Sequence, residues 1–377
     1  MKKKIAIIGS GIAGLTAANL LIKNSDFEVM VYEKEKMLSL DEGYGIQLAV
    51  NSISILNKIG FNNIGNNNFF NPSKLNFYSI NNKICELDLD RFNVDNVKYT
   101  TMQRSTLIEF LKDKLFTNNF RFGKEVKKIS KLKDKLLINF TDNSNDLVDY
   151  IIVSDGVFSK TKSVIENKII KPRYNGSVAI RSVFKISEDF NYENKNISLI
   201  MLPEAHVVTY PINKKNDFNL VCIIREKLSN NYEIHSIIKR KIFSKSKNLE
   251  NLFKGDLDAW PVYVTKKPIK SIYENVFYLG DAFYTFSPAM AQGASQSIEA
   301  AYELFNLLSK NIKKSQSFYF KKRLKKINLV NNRSKLNYFA FHLSNPFFIK
   351  VRNFLLKKIT KNNKYLNSYL GNIYRRI

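Results

Sequence analysis

Cysteine, histidine, tryptophan and acid are the scarce residues of this 377-residue chain, and each shortage closes off a class of function. Two cysteines, Cys85 and Cys222, rule out a disulfide scaffold and a four-cysteine zinc site. The three histidines, His206, His235 and His342, lie far apart in sequence, so no histidine-built metal site is expected. No uninterrupted apolar run reaches the roughly 18 residues that a membrane-spanning helix needs. The start, Met1-Lys2-Lys3-Lys4 before an apolar stretch, imitates a signal peptide. Gly9, Gly11 and Gly14 interrupt that stretch, and no small-residue cleavage site follows. A reducing, cytoplasmic location is the expectation.

Acidic residues number 33 against 60 basic ones, a formal charge of +27. Twelve of the 60 are Arg and the other 48 are Lys. Lys, Asn, Ile, Phe and Tyr are abundant together and share AT-rich codons, so base composition accounts for much of the excess. A basic chain also suits nucleic acid or anionic lipid. Here the lysines spread along the chain, except in runs such as Lys321, Lys322, Arg323, Lys325 and Lys326. With no helix-turn-helix and no RNA-binding aromatic signature, no nucleic-acid partner is expected. The 44% hydrophobic content is ample for a packed interior, and the length calls for two or three cores.

What is present begins with strand, tight turn, helix, strand. Lys4–Ile8 is a short β-branched run, followed at once by Gly9-Ser10-Gly11-Ile12-Ala13-Gly14 and a helical stretch from Leu15 to Lys23. The first glycine permits the turn, the second lets a pyrophosphate approach the backbone, and the third lets helix and strand pack closely. Glu33 ends the second strand, Glu28–Glu33, where a carboxylate can accept from ribose hydroxyls. Two further strands, Val148–Val153 and Val276–Leu279, run into Ser154-Asp155-Gly156 and Gly280-Asp281-Ala282. Ligands bind at such carboxyl ends in doubly wound sheets. Pro288 and Ala291-Gln292-Gly293-Ala294 then open a helix reaching about Leu308, whose free amides face a ligand.

Between these marks, Ser73 to Leu89 alternates as strands do, Asn62–Asn71 reads as a loop, and Arg104–Leu115 as a helix. Gly176–Tyr263 is mostly strand-like, and a basic helical tail closes the chain. The fold expected is α/β: a Rossmann-like dinucleotide-binding domain interrupted by an antiparallel β-sheet domain, with C-terminal helices.

The chain resembles the single-component FAD-dependent aromatic hydroxylases of the p-hydroxybenzoate hydroxylase type. The marks are Gly9-x-Gly11-x-x-Gly14, Asp155-Gly156 and Gly280-Asp281. Gly43-Tyr44-Gly45-Ile46-Gln47-Leu48, Gln103–Leu107, Ala179-Ile180-Arg181, Tyr210-Pro211-Ile212 and Ala291–Ala300 are similar to its salicylate and 3-hydroxybenzoate branch, as is the tail around Phe341-His342-Leu343. The resemblance runs from residue 4 to about 355. It implies an FAD-binding domain of residues 1–72, 101–172 and 271–310, a substrate-binding sheet domain of 73–100 and 173–270, and a helical extension of 311–377.

FAD contacts are implied at Gly9, Gly11, Ile12, Ala13, Gly14, Glu33, Lys34, Gly45, Gln47, Arg104, Val126, Asp155, Gly156, Gly280, Asp281, Pro288, Gly293 and Ala294. NADH or NADPH visits as transient co-substrate. A reduced flavin adds O₂ at C4a, and the hydroperoxide gives oxygen to a phenolic or heteroaromatic acid. His206 and Tyr210, four apart on one strand face, match a His and Tyr serving the substrate phenol, and an imidazole titrating near neutrality suits proton abstraction. Gln292 stands where the loop passes the flavin. Arg181 or Arg225 is the candidate for a substrate carboxylate. The family usually writes Gly-Asp-Ala-Ala-His at the third mark, whereas Tyr284 stands here in place of the His.

Two alternatives remain at this stage, a ubiquinone-precursor hydroxylase and a non-oxygenating flavin reductase. A halogenase lacks support, because the single Trp260 cannot make that family's Trp-x-Trp motif. The partners expected are a small aromatic, O₂ and NAD(P)H, in a monomer or homodimer. The tail Phe341–Lys358 is basic and apolar enough to lie on an anionic bilayer, but a terminal helix docked on the body is the expectation.

Overall fold

Ile5-Ala6-Ile7-Ile8 suits a strand covered on both faces, and in this computed structural model it lies at the centre of a five-stranded parallel sheet. The structure describes residues 2–38, 40, 44–80, 82–186, 192–310 and 314–375; Met1 and Gly43, named above, lie outside them. The strands are β1 (Lys3–Ile8), β2 (Phe27–Tyr32), β3 (Gly45–Leu48), β4 (Phe69–Phe70), β5 (Lys74–Ser79), β6 (Asn82–Asp88), β7 (Thr100–Gln103), β8 (Phe120–Arg121) and β9 (Val126–Leu132). They continue as β10 (Lys135–Phe140), β11 (Asn145–Val148), β12 (Tyr150–Val153), β13 (Arg173–Lys185), β14 (Ile197–Leu202), β15 (Ala205–Pro211), β16 (Asp217–Arg225), β17 (Asp258–Val264) and β18 (Val276–Tyr278). The helices used below are α1 (Ile12–Leu21), α2 (Val50–Asn57), α3 (Arg104–Asp113), α4 (Lys160–Ile165), α5 (Ile234–Ile238), α6 (Gly293–Ser309), α7 (Ser315–Phe341) and α8 (Pro346–Ile359).

The parallel sheet runs β18-β12-β1-β2-β8. Its core holds Leu15, Leu20, Ile53, Leu107, Leu111, Ile298 and Leu304 from α1, α2, α3 and α6. A seven-stranded sheet, β17-β13-β16-β15-β14-β5-β6, forms the second layer. It is not wholly antiparallel, as expected from sequence, because β5 enters beside β14 in the same direction. The two strands come from distant segments, so no hairpin forces them to oppose. Helix α1 starts at Ile12, directly after Gly11, rather than at Leu15. The stretch 62–71 is not all loop, since Phe69 and Phe70 pair with Met102 and Thr101 of β7.

The tail is built into the body through α7, which buries Tyr319, Ile327, Val330, Ser334 and Phe341. Arg323, inside the basic run, is 2% exposed and faces inward. It donates to Glu299 at 3.1 Å, Glu303 at 3.3 Å and Gln296 Oε1 at 2.9 Å, all on α6. Asn51 Nδ2 on α2 donates to the same Glu299 at 2.7 Å. One guanidinium thus clamps α7 to α6 and, through Glu299, to α2. Helix α8 is different: among its residues only Arg352 is buried.

Candidate active site

The glycine corner fits together without room for side chains. A Cβ on Gly14 would lie 2.1 Å from Gly9 O and 2.6 Å from Ser154 Oγ, so α1 can start here only with glycine at this position. Ser154 buttresses the corner by donating to Ile8 O at 2.9 Å and Gly9 O at 3.0 Å. Gly11 is the opposite case: nothing lies within 4 Å of its missing Cβ, and it caps α1 with no side-chain hydrogen bond and no acid in the first turn. The α1 amides are left for an anion. Glu33 turns back to this corner and accepts from Ser10 N at 3.0 Å and Ser10 Oγ at 2.6 Å.

Other expected contacts fare differently. Lys34 is exposed and paired with Glu35 at 3.3 Å. Val126 buries its side chain in the core against Phe140, which leaves only its main chain to meet a ligand. Asp155 accepts from Thr161 N at 3.2 Å, while its Oδ1 is buried without a partner and burial raises its pKa. Gly156 follows at φ 88° with open space beyond it.

At the third mark, Gly280 adopts φ 59°, and a Cβ there would sit 2.7 Å from the Ala13 Cβ. This close approach holds α1 against the end of β18. Asp281 faces the cavity described below. The residue is exposed to that space, yet enough protein surrounds the carboxylate to raise its pKa to about 6, with the neighbouring Arg104 guanidinium opposing the rise. Arg104 is the first residue of α3, held by its own N–H to Tyr44 O at 2.8 Å. Helix α6 starts at Gly293 with no side-chain cap and no acid in its first turn. Gln292 is 2% exposed; its Oε1 accepts from Gln296 at 3.2 Å and its Nε2 has no partner. Pro288, Gly293 and Ala294 line the same space.

That space is a cavity of about 1000 Å³ between the two sheets and the C-terminal helices. Its walls are mostly apolar, with a few polar groups brought together from distant segments. His206 and Tyr210 share one face of β15 and both line it, with Val208 between them. Gln47 on β3 accepts from Tyr99 OH at 2.8 Å and also hydrogen-bonds Tyr210, so its amide joins two tyrosines. Burial holds the Tyr210 hydroxyl well above its usual pKa. Arg181 on β13 lines the cavity and lies 5.9 Å from the Tyr44 ring. Arg225 is placed elsewhere, over the Tyr338 ring at 5.5 Å. Gly45 also lines the cavity, and its N–H donates to Asn219 Oδ1 at 2.6 Å. Tyr284 packs on Phe286 at 5.0 Å between ring centres.

His206 corrects one expectation. It does not titrate near neutrality: burial pushes its pKa far below the usual value. Its Nδ1 is 2.7 Å from Nε2 of His342, also buried, whose pKa is lowered by desolvation, His206 and Arg225. In the sequence His342 stands only in a family-like tail, and neither its pairing with His206 nor the place of Tyr99 is visible there. No spacing signal links residues 136 apart.

Both imidazoles have folded-state pKa values below the unfolded value near 6.5, so the unfolded chain binds more protons below that pH. Their contribution to stability is full above pH 6.5 and is lost as pH falls. Relative to wild type, His342→Gln should lose less stability between pH 7 and 5, by up to about 1.4 kcal/mol per pH unit. Urea unfolding of the two proteins at both pH values tests this; parallel losses refute it.

A parallel sheet with a glycine corner, an acid at the end of β2 and two uncapped helix starts around a deep cavity defines a dinucleotide-binding protein. The orphaned Asp155 Oδ1 and Gln292 Nε2, with the open approach at Gly11, fit a large ligand bearing both phosphate and ring groups. A family model described as an FAD binding domain matches residues 2–318, and the chain belongs to that family. It is 26% identical over 320 residues to 6-hydroxynicotinate 3-monooxygenase of Pseudomonas fluorescens, covering 78% of this chain and 80% of that one. Salicylate hydroxylase of Pseudomonas putida is 21% identical, covering 81% of this chain and 76% of its own. Among solved structures, Klebsiella pneumoniae HpxO complexed with FAD and uric acid superimposes with a TM-score of 0.87 at 18% identity, covering 98% and 96% of the two chains. A salicylate hydroxylase substrate complex gives 0.79 at 18% identity, covering 99% and 97%. The protein is an FAD-dependent monooxygenase, an oxidoreductase of the single-component aromatic hydroxylase type.

Proposed function

We propose that the chain hydroxylates a phenolic or N-heteroaromatic carboxylate, with NADH or NADPH as reductant, in the cytoplasm. The free thiols Cys85 and Cys222 suit that compartment. The observation that carries the reading is the meeting of His206, Tyr210 and Arg181 in one apolar cavity beside the α6 start. FAD held there would supply the redox chemistry with O₂ and the nicotinamide nucleotide that hydroxylation of an electron-rich ring needs.

The chain's own residues do the rest. The α1 amides and Arg104 would hold the anionic groups of the cofactor, and the α6 amides would serve its ring. Gln292 Nε2, buried without a partner, donates to cofactor or substrate. Arg181 takes the substrate carboxylate, since among the described residues no carboxylate pairs with it. With Nδ1 engaged by His342, Nε2 of His206 is the nitrogen left for the ring hydroxyl. A positive imidazole is stable in this dry setting only when the phenolate forms beside it, so proton transfer and ring activation occur together. The mostly apolar walls leave water few partners around the ring.

The test is a screen of aromatic acids for stimulated NAD(P)H oxidation with product mass. A gain of one oxygen supports the reading, and a gain of hydrogens overturns it. A second test concerns Asp281. Asp281→Asn should retain less FAD per polypeptide than wild type after gel filtration, because a ligand-facing carboxylate is lost. Full flavin retention removes Asp281 from the cofactor site.

A further inference from the structure

The cavity extends beyond what a flavin ring and a small aromatic acid occupy. Past His206 and Tyr210 it runs between Leu75, Phe77 and Leu199 of the seven-stranded sheet and helices α7 and α8. Five lining residues on α7 and α8, Leu336, Phe339, Phe348, Val351 and Leu355, are 39–60% exposed, so the cavity opens at these two helices, as it also does beside Trp260 of β17 at 39%. Around that opening α8 presents Phe347, Phe348, Val351, Phe354 and Leu355, a stripe at successive helical turns and 39–67% exposed. An exposed apolar face of this size marks an interaction surface. Arg352 fixes its orientation: buried, it donates to Ala340 O at 3.1 Å and ties α8 to α7 with the aromatic stripe outward.

Charge says what covers the stripe. Lys350 and Lys357 border it, Lys358 extends it, and Lys361 and Lys364 follow, all exposed. The last Asp or Glu in the sequence is Glu303, so α7 and α8 carry no acidic side chain. A second copy meeting this face about a two-fold axis would set these lysines against their own counterparts. An anionic lipid surface instead receives the aromatic stripe among its acyl chains and the lysines at its headgroups.

We propose that α8, with the exposed end of α7, docks the protein on an anionic phospholipid bilayer and holds the cavity mouth against it. An aromatic acid bearing an apolar substituent, held with its carboxylate at the interface, then reaches the cavity from the lipid side. The docking surface stands on the observations above; its use as an entry route rests on the monooxygenase reading.

The experiment is flotation of the flavin-loaded protein with vesicles of phosphatidylcholine alone and of phosphatidylcholine with phosphatidylglycerol, at low and moderate salt. Wild type should float with the anionic vesicles and be released by salt. Phe347→Glu/Phe354→Glu should float roughly tenfold less or worse. Neither residue lines the cavity, so flavin content and turnover of a dissolved aromatic acid should match wild type. Absence of wild-type flotation, undiminished flotation of the variant, or equal binding to both vesicle types overturns the proposal. So does a dimer by light scattering that the double variant abolishes, because it would show a second copy on the stripe. Vesicle binding without any oxygenated product would leave docking intact and refute the monooxygenase reading.

Discussion

His206→Gln is expected to lower coupled product formation by about 10²- to 10⁴-fold, the usual worth of a positioned acid–base group. Flavin bound per polypeptide should stay at the wild-type level, because none of the glycine corner, Arg104 or the α6 start depends on this side chain. The expectation follows from three facts together. The imidazole lines the cavity, burial keeps it neutral, and His342 occupies its Nδ1. Glutamine keeps a polar group on the cavity wall but cannot take a proton. NAD(P)H oxidation should therefore continue with oxygen consumption while hydroxylated product falls. His342→Gln should cost much less, because it only orients its neighbour. Loss of flavin from His206→Gln, or an equal loss of product in both variants, would assign the pair a structural role.

Arg323→Met should cost about 3–5 kcal/mol of stability, the largest stability effect expected of a single polar substitution here. The substitution leaves Glu299 and Glu303 buried at 1% and 4% side-chain exposure with their main cation removed. Lys326, 3.2 Å from Glu299 and only partly buried, compensates a little. The matched triple variant Arg323→Met/Glu299→Gln/Glu303→Gln should recover most of the loss, since buried ion pairs contribute little against neutral replacements. Urea unfolding distinguishes the two. A single-variant cost below about 1 kcal/mol would mean that water reaches the cluster.

Much of the fold was legible because its determinants are local. The β-branched run of β1, the glycine spacing, and the Asp-Gly and Gly-Asp pairs after β12 and β18 are each set by a few neighbouring residues whose backbone demands are visible in order. The shared face of His206 and Tyr210 was legible for the same reason: side chains on a strand alternate. Their titration was not, because burial comes from residues far away in sequence. Arg181 and Arg225 look alike in sequence, and only the paths of β13 and β16 send one into the cavity and the other to Tyr338. The run around Arg323 reads as a solvated basic stretch, yet helix rotation turns one of its cations into the core.

The sequence by itself determined that a dinucleotide corner forms at residues 9–14 and that two further strand ends meet it, since glycine, acid and β-branched residues at fixed spacing admit few other backbones. Tertiary structure alone decided how residues distant in sequence share one space. The His206–His342 contact, the Tyr99–Gln47–Tyr210 cluster and the opening beneath α8 each join separate segments. Such meetings depend on how layers pack, and packing is a property of the whole chain that no local pattern encodes.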